Sequence, residues 1–275
     1  MKVATIVPQQ FLDMTRADEY HMCLAHLIGE PGYEPYTHFF KQIGRLPYTH
    51  LIMDNGLIEG NPRPIHELVT KALLVDADEI VLPDVFKDRA QTYAAVVDAL
   101  QQLTDPDKGQ PLRGRTSFMA VAQGASLEEW IESAKELMQL PIRTLGVPKV
   151  LCSLPGLSTT NGWLNRLEVL KAIEPYRHGT QIHLLGCWDT PLEAKMISKA
   201  EAEGVISPIR GIDSALPYVF TRAGMKMSEG GRPDSSPIDF AMGGVDRKLL
   251  KYNIDMWRHE CNIHDTTKDN VQRIW

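Results

Sequence analysis

The rhythm of the chain constrains its fold more than any other feature. From His50 onward, short β-branched runs alternate with longer segments of helical period, the pattern of βαβ units around a parallel sheet. Strands are expected at His50 to Met53, Glu79 to Leu82, Ser117 to Ala122, Thr144 to Val147, Gln181 to Leu185 and Ile206 to Ile212, with Lys2 to Val7 as a seventh. Helices are expected at Pro64 to Leu74, Asp88 to Leu103, Ser126 to Met138, Gly162 to Ile173 and Pro191 to Glu203, and Ser126 with Glu129 matches a capping box. An eighth strand is needed to close a barrel, and Tyr20 to Ile28 is the segment available; the same run also reads as an amphipathic helix. As a strand it gives a (β/α)8 TIM-type barrel, an α/β fold; as a helix it leaves an open doubly wound sheet. The barrel is the expectation, because 275 residues suit one such domain of about 250. Residues 1–220 would form the barrel core. Residues 221–275 would add a Gly/Ser/Pro-rich loop (MSEGGRPDSSP) over the mouth, a helix around Val245 to His259, and a loosely held end.

Active sites of such barrels lie at the C-terminal ends of the strands, so the polar residues that close each apolar run are the first candidates. LIMD ends on Asp54, IVLPD on Asp84, MAVAQG on Gln123 and Gly124, and RGIDS on Asp213; LGVPK carries Gly146, Val147 and Lys149, and HLLG reaches Gly186. An aspartate at a strand end often caps the next helix. Three of them with Gln123 form a set with chemical use, since one carboxylate can attack, one can carry a proton and one can orient a substrate. The glycines beside them would let a planar ligand approach the backbone.

Other features point elsewhere. Lys149 at a strand end also suits a Schiff-base aldolase, or a simple anion contact. His183, in mid-strand, reads as a core histidine. Trp188 and the aromatic stretch from Tyr33 to Phe40 offer stacking surfaces or packing. His259, Cys261 and His264 gather soft ligands for a structural zinc without an evident fourth, and no HExxH occurs, so no catalytic metal is expected.

A net charge of −6 excludes a global positive field, so a polyanionic partner would need a local basic face. Arg210, Arg222 and Arg232 are the candidates for one. The four cysteines contain no CxxC pair, which fits free thiols in a reducing compartment, and the N-terminus carries no leader-like apolar run; a cytosolic protein is expected.

In order and approximate spacing, MDNG, LPDV, AVAQG, LGVPK, HLLG and GIDS followed by TRAG resemble the tRNA-guanine transglycosylase superfamily, barrel enzymes that exchange guanine for a 7-deazaguanine. The compact length and the form of GIDSALPYVFTRAG look most like the phage and genomic-island branch that acts on DNA. The resemblance implies that Asp54 is a general acid/base, although Asn55-Gly56-Leu57 replaces the family's Ser-Gly-Gly. It implies that Asp84 reads the Watson–Crick edge of guanine, and that Gln123 and the Gly146 amide contact the base. The tRNA enzymes place their nucleophile at the later acid of a GxDxxDC-type segment, which aligns here with Leu216, Pro217 standing for the cysteine. Either Asp213, the earlier acid, attacks, or the covalent step is lost and the chain is a non-catalytic nucleic-acid-binding subunit. The family's C-x-C-x-x-C…H zinc site is missing from the sequence, which favours DNA over tRNA as partner. The implied reaction uses a free 7-deazaguanine base as co-substrate and no cofactor.

Overall fold

A computed structural model of the chain describes residues 1–104, 116–155, 157, 162–187, 190–230, 233, 238–241 and 244–262. Eight strands form one parallel sheet: β1 (Lys2–Thr5), β2 (Tyr20–Leu24), β3 (His50–Asp54), β4 (Glu79–Val81), β5 (Ser117–Val121), β6 (Thr144–Pro148), β7 (Gln181–Leu185) and β8 (Gly211–Ser214). Their hydrogen-bonded order is β1-β8-β7-β6-β5-β4-β3-β2. Tyr20, Met22 and Ala4 share one buried cluster, so β1 packs against β2 and the barrel is nearly closed, its seam held by side chains where no ladder joins the two edges. The fold is the (β/α)8 barrel expected from the rhythm. The Tyr20 segment resolves as a strand because both of its faces are buried: Tyr20 and Met22 point inward, while Cys23 packs against the helices.

Between the strands lie α1 (Glu34–Ile43), α2 (Ile65–Val75), α3 (Arg89–Thr104), α4 (Leu127–Leu137), α5 (Gly162–Ile173), α6 (Leu192–Ala202) and α7 (Leu216–Arg222). Helix α4 begins where its capping box predicts: Ser126 Oγ accepts from Glu129 N at 3.2 Å, and Glu129 Oε2 accepts from Ala125 N at 2.9 Å. Two helices escape the sequence reading. In α1, Tyr36, Phe39, Phe40 and Ile43 recur at helical spacing and face the core, so these aromatics pack, whereas Tyr33, just before the helix, lines the cavity at the barrel mouth. Helix α7 is brief and starts with Leu216-Pro217.

Strand β8 starts at Gly211, later than expected, because the backbone before it is engaged by side chains. Arg177 donates to the carbonyls of Ser207 and Pro208 at 3.1 and 3.0 Å, and Glu174 accepts from Ser207 N at 3.2 Å. Pro208 has no N–H to offer a ladder.

Strand residues alternate in direction, as the pleat requires. Leu51, Met53, Ile80, Ala120, Leu145, Val147, Ile182, Leu184 and Ile212 pack outward against the helices, whereas Ile52, Val81, Met119 and Val121 fill the barrel interior.

The C-terminal extension is bound to the barrel through residue 262. Helix α8 (Arg247–Cys261) is capped by Asp246 and buries Leu250, Ile254, Trp257 and Cys261 against α6, α7 and β1. Arg258 reaches Asp18 at 2.6 Å, and the N-terminal ammonium donates to Asn262 Oδ1 at 3.3 Å. No helix among the described residues is long and apolar enough to cross a membrane.

Candidate active site

A cavity of about 760 Å³ opens at the C-terminal ends of the strands, and Asp54, Asp84, Gln123 and Asp213 all reach it. Three of them end inward-facing rows: Ile52 leads to Asp54, Val121 to Gln123, and Gly211 to Asp213, whereas Asp84 follows outward Ile80 and Leu82 and reaches the cavity from beyond the end of β4. The expected mouth loop and the segment after it contribute a wall, since Pro233 of the loop and Ile238, Asp239 and Phe240 beyond it line the same space.

The three carboxylates are unequal. Burial, reinforced by the charges of Glu59, Asp213 and Asp84, pushes Asp54 up to about 8, although Gly56 N donates to its Oδ2 at 2.9 Å. At neutral pH Asp54 therefore carries a proton that it can give. Burial also raises Asp84, to about 6, against the lowering effect of its hydrogen bonds. Gln123 Nε2 donates to Asp84 Oδ2 at 2.6 Å and Asn55 Nδ2 to Oδ1 at 2.7 Å, which fixes the carboxylate plane across three strands. Gln123 Oε1 accepts from Lys87 N at 3.1 Å, so this glutamine is chiefly the orienter of Asp84. Asp213 accepts from Gly186 N and pairs with His183 Nε2, each at 3.1 Å and both on Oδ1. Its Oδ2 has no donor among the described residues.

The remaining candidates divide. Gly186, with φ +68°, lines the cavity, and a Cβ there would meet Lys149 Cδ at 2.9 Å. Gly146 faces inward just beneath, in a slot where a Cβ would meet Leu185 and Val121. Gly124 serves packing, because its missing side chain lets the backbone of α4 approach; a Cβ would lie 2.5 Å from Trp130 N. Val147 faces away from the cavity into the layer under the helices, and its carbonyl accepts from Arg166 at 3.1 Å. Arg210 is also removed from the mouth: it precedes β8, at the opposite end of the barrel, and its Nη2 pairs with buried Glu79. It therefore holds no flanking phosphate. Arg222 sits in the last turn of α7, outside the cavity lining. Arg232, Trp188 and His264 lie outside the described residues. Lys149 lines the mouth. His259 is exposed and Cys261 fully buried, two residues apart on one helix and so on opposite faces, which separates them as ligands. Among the described residues no group of three His, Cys, Asp or Glu side chains could hold a metal.

Several residues of the site were not singled out from the sequence. His26, beyond β2, lines the cavity with an Nδ1 that has no hydrogen-bond partner among the described residues, and burial lowers its basicity. Its position just past a strand end was the available signal. Arg166 and Glu193, both fully buried, pair at 2.8 Å; Arg166 also donates to the carbonyls of Val147, Leu185 and Gly186, clamping the mouth ends of β6 and β7. Both fall in the apolar stripe of their helices, Arg166 in register with Val169, Leu170 and Ile173 and Glu193 with Ile197 and Ala200, and that register was the available signal.

No family model matches the sequence, nor does any curated protein. Solved structures that align with the chain include a D-psicose 3-epimerase in the presence of D-fructose, at 11% identity over 96% of this chain and 99% of that one, TM-score 0.49. Phosphoribosylanthranilate isomerase from Thermotoga maritima aligns at 12% identity over 95% and 98%, TM-score 0.47. Malate synthase from Haloferax volcanii aligns at 10% over 77% and 65%, TM-score 0.46. At these identities nothing about chemistry passes from them to this chain.

Proposed function

We propose that the protein is an enzyme, a base-exchanging transglycosylase that replaces guanine in a nucleic acid, DNA in preference to tRNA, by a 7-deazaguanine. The observation that carries this reading is a set of unequal carboxylates in one cavity: Asp54, whose proton is held to about 8, Asp84, held in place by Gln123 and Asn55, and Asp213, whose Oδ2 has no donor among the described residues. The ordered resemblance of the strand-end motifs supports it, and Asp213 fills the role left vacant by Leu216.

In the first half-reaction Asp213 Oδ2 attacks the anomeric C1′ of the target guanosine through an oxocarbenium-like transition state, and the C1′–N9 bond breaks as Asp54 gives its proton to the departing guanine. The sugar becomes an ester of Asp213. In the second, the incoming 7-deazaguanine returns its N9 proton to Asp54 and attacks C1′, which breaks the ester and retains the configuration. Asp84 accepts hydrogen bonds from N1–H and the exocyclic amine of guanine on lone pairs not used by Gln123 and Asn55, and this polarity rejects adenine. A target inside a duplex has to be flipped out, at a cost of a few kcal/mol.

Incubating the folded protein with labelled guanine and either DNA or tRNA tests the reading directly. Incorporation into DNA is expected; a folded wild type that exchanges with neither polymer overturns it. Asp213→Asn should abolish a covalent adduct trapped by denaturation, and persistence of the adduct would move the nucleophile elsewhere.

A further inference from the structure

Asp213 is connected to the far end of the barrel by a buried line of polar side chains. His183, fully buried on β7, sets Nε2 3.1 Å from Asp213 Oδ1 and Nδ1 2.8 Å from Tyr20 Oη. Tyr20, on β2, accepts from Arg210 Nε at 3.1 Å, and the guanidinium lies 5.6 Å from the centre of its ring. Arg210 pairs with Glu79, whose Oε1 accepts from Thr144 Oγ1 at 2.7 Å and whose Oε2 lies 3.4 Å from His50 Nε2. Gly211 leaves the space that the Tyr20 ring occupies: a Cβ there would come within 2.5 Å of Tyr20 Cε1.

Donor counting gives this line a direction. Arginine can only donate, so Tyr20 Oη is an acceptor toward Arg210 and its single proton points to His183 Nδ1. A neutral imidazole that accepts at Nδ1 carries its proton on Nε2 and donates it to Asp213. Burial lowers His183 and raises Tyr20, which keeps both neutral. Glu79 balances the guanidinium, and the hydrogen bonds aligned between Arg210 and Asp213 polarise one another in a dry interior.

We infer that Tyr20 and His183 are positioning residues that pass the fixed donor of Arg210 up the barrel axis, lock His183 in its Nε2–H tautomer and hold Asp213 as an acceptor on Oδ1, so that Oδ2 is the oxygen presented for attack. The tautomer and the orientation rest on the hydrogen-bond geometry and on the burial that keeps His183 and Tyr20 neutral, while their effect on the rate rests on the transglycosylase reading.

The two parts are separable by experiment. In ¹⁵N-histidine-labelled protein without substrate, His183, assigned by its loss in His183→Gln, should show the Nε2–H tautomer near neutral pH. In Tyr20→Phe, judged folded by its thermal melt, that tautomer should give way to a mixture. A wild-type Nδ1–H tautomer, or a Tyr20→Phe spectrum unchanged at His183, overturns the inference whether or not the protein exchanges bases. A second pair of variants reads the chemistry: the amide of His183→Gln can replace the Nε2 donor, whereas that of His183→Asn falls at the Nδ1 position. Adduct formation on Asp213 should survive in the first and fall roughly ten- to a hundredfold in the second, the loss expected for one hydrogen bond to a charged group. Equal losses in the two variants would mean that His183 only fills space. Base exchange absent from wild type, with the tautomer as expected, would sink the function and leave the relay standing.

Discussion

Asp54 couples function to pH in a direction that its environment dictates. Its proton is held to about 8 rather than the ordinary 3.8, so exchange that needs the acid form should decline as pH rises above about 8. Asp54→Asn should lower the exchange rate by about 10²- to 10⁴-fold. A carboxyl that binds its proton more tightly in the folded state opposes folding increasingly as pH rises from 3.8 towards about 8. The same variant, whose amide oxygen can still accept from Gly56 N, should therefore melt at a higher temperature than wild type on the alkaline side and lose that advantage under acid. A melt series in which the two proteins differ equally at every pH would contradict the assignment. Asp84 gives a second readout: its acceptor form prevails above about 6, so guanine binding measured by calorimetry should weaken as pH falls through that value.

At the scale of elements, the mouth is braced from behind. Arg166 on α5 and Glu193 on α6 are buried together, and removing either partner strands a charge in an apolar layer. Glu193→Ala should cost about 3–5 kcal/mol in urea unfolding, while a paired replacement of Arg166 and Glu193 by apolar residues of similar volume should cost much less. A double variant as unstable as the single would show that the pair does more than neutralise itself. Gly124→Ala tests another brace. Its Cβ would press on the backbone of Trp130 and Glu129, so helix α4 has to move, at about 1–3 kcal/mol.

For the whole molecule, the weak line is the seam between β1 and β2, which no ladder spans among the described residues. Helix α8 straps it from outside: Arg258 holds Asp18 in the connection between these strands, and Arg247 holds Asp13. Deleting residues from Arg247 onward should raise hydrogen exchange in β1 and β2 before the strands opposite. Uniform loss of protection, or none, would show that the extension does not guard the seam.

The sequence by itself determined seven of the eight strands, most of the helices, and the end of the barrel where chemistry collects, because apolar alternation is a local property and the parity of a strand fixes which of its residues face inward; the segment from Tyr20 stayed open between strand and helix. Asp54, Gln123 and Asp213 were legible for that reason. The outward direction of Val147 was legible too, as the neighbour of inward Gly146. Only the tertiary structure decided that β2 borders β1, that Arg210 answers Glu79 across the barrel, and that His183 holds Asp213. It also raised the proton affinities of Asp54 and Asp84 by different amounts, since a proton affinity depends on burial and on charges brought from distant strands. Sequence spacing carries no record of those distances; the closing of the barrel sets them.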